Sequence, residues 1–223
     1  MQIYTLLSAL LQYPTADMQA DIAEAEMLLT QDKLLSRACR QEVKALLAHV
    51  AQTDLLTLQM QYVDLFDRTP ALALHLFEHV YGDDRARGQA LADLQGVYAE
   101  AGLELNPGEL PDYLPLFLAY LAAVPVETAQ ESLKELVDLL EILHQRLVKR
   151  KTPYAAVLRA LVALAKLKPN QRKVQDALKL ADGSLPDPEK VDALWAEEPA
   201  FNGTASAASC PHAQNCQQGG AQS

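Results

Sequence analysis

Apolar residues recur at helical spacing along most of the chain, and the breaks between runs fall at Pro, Gly and capping residues. Ile3, Leu6, Leu7, Leu10 and Leu11 repeat every three to four positions, predicting a first helix over 2–12 that ends near Pro14. A second runs from near Thr15 to Leu29, with Met18, Ile22 and Leu29 on one face. A third covers 33–52 and carries Leu35, Leu46, Leu47 and Val50. Asp54 is placed to cap a fourth, Leu55 to Phe66. Pro70 interrupts the pattern, and a short fifth helix is predicted from there to Tyr81. The turn Gly82 to Asp84 opens a sixth, which Gly102 closes as a C-terminal cap.

Pro111 begins an apolar helix that reaches Val124. Thr128 opens a long amphipathic helix to about Arg150, striped by Leu133, Leu136, Val137, Leu140, Leu143 and Leu147. Thr152-Pro153 restarts the chain as N-cap and first helical residue, and that helix ends before Pro169. Another spans 170–181, and a last short one, about 188–196, carries Trp195. From about Phe201 the chain turns to Ala, Ser, Gly, Gln and Asn with no Asp, Glu, Lys or Arg. Such a segment buries too little apolar surface to offset the entropy of ordering. The expected organisation is a helical domain over 1–197 and a disordered polar tail over 198–223.

Composition sharpens the fold class. The chain has 40 Leu and 35 Ala against 13 Val and 3 Ile, which favours helix and argues against a sheet. At 223 residues, one domain can bury roughly 70% of its unfolded surface and needs no disulfide or metal to hold it. The opening segment lacks Lys and Arg, unlike the basic start of a signal peptide. The longest apolar run, Leu114 to Val124, contains Pro115 and is shorter than the roughly 18 residues of a membrane span. Cys39 falls in a helical pattern as a small hydrophobe. A soluble, cytoplasmic protein is expected.

Charge is uneven. The net charge is −10, distributed as −11 over residues 1–130, +6 over 131–179 and −5 over 180–223. An acidic balance disfavours nonspecific nucleic-acid and anionic-membrane binding. Two readings of the uneven spread stay open. One is a solvated surface with charges biased to helix ends; the other is an acidic face in the first part that suits a basic peptide.

Chemistry-bearing patterns are few. His75-Leu76-Phe77-Glu78-His79 matches H-x-x-E-H, in which two histidines on one helical face hold zinc and the Glu activates its water. A zinc-dependent hydrolase is therefore the alternative from another class, although no third ligand stands out, and a helical adaptor with a different client is the second alternative. Cys210, His212 and Cys216 in the tail lack the spacing of a standard zinc site. No phosphate-binding glycine loop and no nucleophile elbow is present. Tyr62, Phe66 and Asp67 lie just before a loop, and Glu109, Asp112 and Tyr113 lie at a predicted helix start. Capping explains Asp112 and core packing the aromatics; a groove with apolar walls and an acidic rim is the functional alternative.

Three strings in order, YVDLFDRT (62–69), LHLFEHVYGDDRARGQAL (74–91) and ELPDYLPLFLAYL (109–121), closely resemble the NarJ-type assembly chaperones of respiratory nitrate reductase. The similarity extends over about residues 1–197, and the wider family includes the TorD- and DmsD-like chaperones of molybdoenzymes. The resemblance implies an all-α, single multi-helical domain of the TorD/NarJ type that is not an enzyme and carries no cofactor. It implies a cytoplasmic protein that binds the apo catalytic subunit, notably its N-terminal leader remnant. The subunit is held competent for molybdenum cofactor and iron–sulfur cluster insertion before it docks at the membrane. Cofactor-biosynthesis proteins are further implied partners. In the wider family a Pro-Asp-His stretch after a Glu contributes to leader recognition. Glu109, Pro111, Asp112 and Tyr113 match it here, with Leu110 inserted and Tyr in place of His. The expected partner-binding residues are Tyr62, Phe66, Asp67, His75, Glu78, His79, Glu109, Asp112 and Tyr113.

Overall fold

The computed structural model describes residues 1–80, 84–106 and 108–181. Ten α-helices carry them: α1 (Gln2–Leu10), α2 (Ala16–Ala20), α3 (Ile22–Gln31), α4 (Arg37–Gln52), α5 (Leu55–Tyr62), α6 (Asp84–Glu100), α7 (Leu114–Ala123), α8 (Val126–Lys149), α9 (Ala155–Leu164) and α10 (Gln171–Ala181). No strand occurs among the described residues. The all-α expectation holds. The helix predicted at 188–196 and the polar tail lie outside the described residues.

The longest element, α8, has 24 residues and spans roughly 36 Å. Every residue of its predicted stripe is buried, from Leu133 to Leu147. It packs on α9, α10 and α7, while α1 packs on α7 and α3, and α4 on α3 and α9. One continuous core joins these helices, from Ile3 in α1 to Ala165 just past α9. Val174 and Ala177 of α10 add a small cluster against Ile142 on the far side of α8. Cys39 is buried in α4, as its helical position predicts.

Caps fix several helix ends, at Thr15 and Asp54 where the sequence places them and at Ser36, inside the third helix predicted from residue 33. The side chains of Thr15, Ser36 and Asp54 accept the N–H groups of Met18, Cys39 and Thr57 at 3.2, 3.2 and 3.0 Å. Gly102 ends α6 with a φ of +76°, and Leu103 N–H returns to the Tyr98 carbonyl. Other ends differ. The predicted second helix is two, broken at Asp21. α8 starts at Val126 because Pro125 tolerates the position before the first turn, where no N–H is needed. Beyond Thr152-Pro153 the chain makes an i to i+3 turn before α9 begins at Ala155. α9 stops at Leu164, short of Pro169, because Lys166 takes a left-handed conformation with φ +53°.

The largest departure lies between α5 and α6. The predicted fifth helix over 70–81 does not form. α5 ends in a π-helical turn, Val63–Asp67, in which Arg68 N–H reaches back five residues to the Val63 carbonyl at 2.9 Å. Two short 3-10 turns follow, Pro70–Leu72 and Leu76–His79. The apolar helix predicted from Pro111 also begins later, at Leu114. Both changes share one cause: residues 74–76 pair with 112–114. Leu76 N–H donates to the Asp112 carbonyl at 3.0 Å and Leu114 N–H to the Leu74 carbonyl at 2.8 Å, with an antiparallel bridge between His75 and Tyr113.

Two glycines near the end of α6 separate backbone cost from packing. An added Cβ meets nothing within 4 Å at either Gly96 or Gly102. Gly96 is helical, so Gly96→Ala should stabilise the fold by about 0.5–1 kcal/mol. Gly102→Ala forces a side chain into the left-handed region and should cost about 1–2 kcal/mol. Urea unfolding of both variants checks the opposite signs; equal shifts would contradict the capping role of Gly102.

Candidate functional site

The paired segments 74–76 and 112–114 bring together most of the residues singled out in the sequence. Asp112 sits at the centre and is fully buried. It does not cap its own helix; Tyr113 takes the N-cap position of α7. Its Oδ2 instead accepts the Phe77 N–H at 3.1 Å, satisfying the first turn of the 3-10 segment Leu76–His79. Its Oδ1 lies 3.4 Å from His75 Nδ1, and Arg87 Nη2 of α6 stands 3.9 Å from Oδ2. A buried carboxylate is costly unless paired and hydrogen-bonded, and here both conditions are met. Arg87 also meets Glu78 at 3.3 Å, so α6, the 3-10 turn and the start of α7 share one charged cluster.

An aromatic chain leads away from this cluster. The His75 ring leans on Tyr113 with centroids 5.3 Å apart. Tyr113 Oη lies 3.1 Å from Tyr62 Oη, and Tyr62 Oη lies 2.9 Å from the Leu11 carbonyl. Each phenol has one proton. Tyr62 gives its own to Leu11, so Tyr113 donates to Tyr62. Burial pushes the Tyr62 phenol well above its ordinary pKa and raises that of Tyr113 as well, which keeps both donors protonated. Tyr62 packs edge-on to Tyr13 and against Phe66, with ring centroids 5.6 and 4.9 Å away.

The nine expected residues therefore divide by accessibility. Tyr62, Phe66 and Asp112 are buried and can act on a partner only by positioning others. His75, His79 and Tyr113 are half-buried, while Asp67, Glu78 and Glu109 are exposed. Glu109 folds back to accept from the backbone N–H and side-chain amide of Asn106, at 3.2 and 3.1 Å. Two contributors were not singled out in the sequence, Arg87 and Tyr98. Tyr98 Oη donates to the Pro111 carbonyl at 2.8 Å and so anchors the strand-like approach to Asp112. Helical spacing marks Tyr98 as core, but its hydroxyl partner is 13 residues away and leaves no local signal.

The zinc reading of His75, Glu78 and His79 required both imidazoles on one face of an α-helix. The segment is a 3-10 turn that starts after His75. His75 Nδ1 faces Asp112, whereas His79 Nε2 lies 2.8 Å from the Ala73 carbonyl and must carry the proton it donates there. Among the described residues, no group of three or more His, Cys, Asp or Glu side chains could hold a metal ion. The cysteines and histidine of the tail lie outside the described residues.

The two histidines should titrate in opposite directions. The hydrogen bond to Asp112 raises His75 above the ordinary value of 6.5, and burial holds His79 below it. Stability from the charged His75–Asp112 pair is fully present below pH 6.5 and is lost as pH rises through the folded pKa of His75. His79 contributes in the other sense: its stability is present above pH 6.5 and is lost as pH falls through its lower folded value. NMR titration of the ring carbons should find His75 above His79. The reverse order would contradict the assigned partners. His75→Gln should remove only the loss seen on the alkaline side.

Comparison with known proteins places this arrangement. A family model described as the nitrate reductase delta subunit matches residues 32–160, which include all three resembling strings. The chain is 40% identical over 194 residues to the nitrate reductase molybdenum cofactor assembly chaperone NarJ of Escherichia coli (strain K12), covering 86% of this chain and 81% of that one. It is 32% identical over 198 residues to the probable chaperone NarW of the same strain, covering 89% and 82%. It is 29% identical over 160 residues to the probable NarJ of Bacillus subtilis (strain 168), covering 72% and 86%. With the family model spanning more than half the chain and a relative at 40% identity over most of it, the chain belongs to the nitrate reductase delta subunit family.

Proposed function

We propose that this protein is a non-enzymatic assembly chaperone of the cytoplasm. Its client is the apo catalytic subunit of respiratory nitrate reductase. The observation that carries the reading is the 40% identity, over 86% of the chain, to a protein named as a nitrate reductase molybdenum cofactor assembly chaperone. The chain has no helix among its described residues long and apolar enough to cross a membrane, which is compatible with work done before membrane docking. In this reading the protein binds the N-terminal segment of the client and keeps the subunit open for molybdenum cofactor and iron–sulfur cluster insertion. Contact with cofactor-biosynthesis proteins belongs to the same reading.

The His75–Tyr113 surface is the proposed contact. A leader remnant is a basic amphipathic segment, and two features of the surface suit it. The His75 and Tyr113 rings, in tilted contact, offer a half-exposed face, and the carboxylates of Glu78, Glu109 and Asp67 add negative charge at exposed positions. Exposed charges steer association and set its salt dependence more than they set affinity. Asp112, Tyr62 and Phe66 act as positioning residues behind that face. His79, with its ring held on Ala73, fixes the turn.

The test is calorimetric titration of the purified protein with a peptide from the N-terminus of the same organism's nitrate reductase catalytic subunit. Binding should occur and should weaken between low and high salt. Asp67→Asn combined with Glu78→Gln should raise Kd about five- to thirtyfold, since rim charges are each worth roughly 0.5–1 kcal/mol. Circular dichroism should show unchanged helix content. Absence of binding at either salt would overturn recognition of this peptide, and salt-independent binding would overturn the acidic-rim mechanism.

A further inference from the structure

The stretch 166–173, which joins α9 to the first turn of α10, carries Lys166, Lys168, Arg172 and Lys173 and no carboxylate. None of these four side chains has an ion pair among the described residues. Leu167 stands between the two lysines with 48% of its surface exposed. Beyond Ala181, outside the described residues, 182–198 carries six carboxylates and one Lys, and Val191, Leu194 and Trp195 fall at helical spacing. We propose that this C-terminal segment folds back along α10 and seats on the stretch 166–173, its carboxylates on the cations and its apolar side chains over Leu167.

A solvated surface with cations biased to helix C-termini is the simpler account of exposed positive charge. It fits Lys166, just past the end of α9, and fails for Arg172 and Lys173. Those two lie in the first turn of α10, which has no acidic residue, and a helix N-terminus is the positive end of its dipole. The cap of that turn is neutral: Asn170 Oδ1 accepts the N–H groups of Arg172 and Lys173 at 3.1 and 3.3 Å. Asp138 of α8 meets the stretch at its backbone, accepting the Asn170 N–H at 2.7 Å, and Asp176 pairs with Lys179 at 3.9 Å. Carboxylates of the C-terminal segment would offset the charge that these contacts leave. The chain is long enough. α10 has 11 residues and spans about 16 Å, whereas the eight residues from Ala181 to Glu189 extend to roughly 26 Å. Tethering holds the acidic segment at an effective concentration of about millimolar, so exposed ion pairs that are individually weak act together.

Trp195 is the only Trp of the chain, so its fluorescence reports the segment alone. In the full-length protein, quenching of Trp195 by acrylamide should rise about twofold or more between low salt and about 0.5 M salt, as screening releases the segment. Lys168→Glu with Arg172→Glu should give the high quenching already at low salt. Both changes place acids near the N-terminus of α10, which favours the helix, and circular dichroism should show helix content unchanged. Lys33→Glu with Arg37→Glu makes the same change of net charge at exposed positions beside the start of α4 and should leave quenching as in the unaltered chain. Quenching that ignores both salt and the Lys168/Arg172 changes would overturn the contact, and so would an equal rise in the two variants. Protection of Trp195 that grows with protein concentration would overturn it as well, by assigning the segment to a second copy.

Discussion

The chain between α5 and α6 has no α-helix to satisfy its backbone, and Asp112 supplies what is missing. Its carboxylate accepts the Phe77 N–H, its carbonyl accepts the Leu76 N–H, and its side chain pairs with His75 and stands near Arg87. One buried residue therefore ties the 3-10 turn, the start of α7 and the first part of α6 into a single surface. A carboxylate with no solvent exposure tolerates few geometries, because each lost partner leaves a charge or a dipole uncompensated in a low-dielectric setting. That intolerance makes the His75–Tyr113 face a fixed shape rather than a loop. The aromatic link from Tyr113 through Tyr62 to Leu11 extends the same constraint to the end of α1.

What was legible in the sequence follows from the range of the interactions involved. α8 could be read almost residue by residue, because a stripe of six apolar positions against one core is a local signal. The caps Thr15 and Asp54 and the terminator Gly102 were legible for the same reason. The segment 70–80 was not. Its apolar residues have helical spacing, but its N–H groups are taken by a partner some 35 residues later, and no periodicity encodes that. The same misreading made His75 and His79 look like neighbours on one helical face. The three family strings run through the region around Asp112, and the structure sorts the residues singled out there into buried and accessible ones.

The acidic and aromatic face around His75 and Tyr113 depends on α6, α7 and the 3-10 turn Leu76–His79. The positive excess over residues 131–179 falls on the stretch that carries α9, α10 and most of α8, and the negative excess over 1–130 on the stretch that carries this face.

The central claim is that Asp112 holds residues 74–79 onto α7, and native-state hydrogen exchange tests it directly. In Asp112→Ala, the amides of Leu76, Phe77 and Leu114 should lose protection while those of α8 and α9 keep theirs. Unchanged protection at Phe77 would contradict the account, because its N–H donates to the carboxylate that the substitution removes.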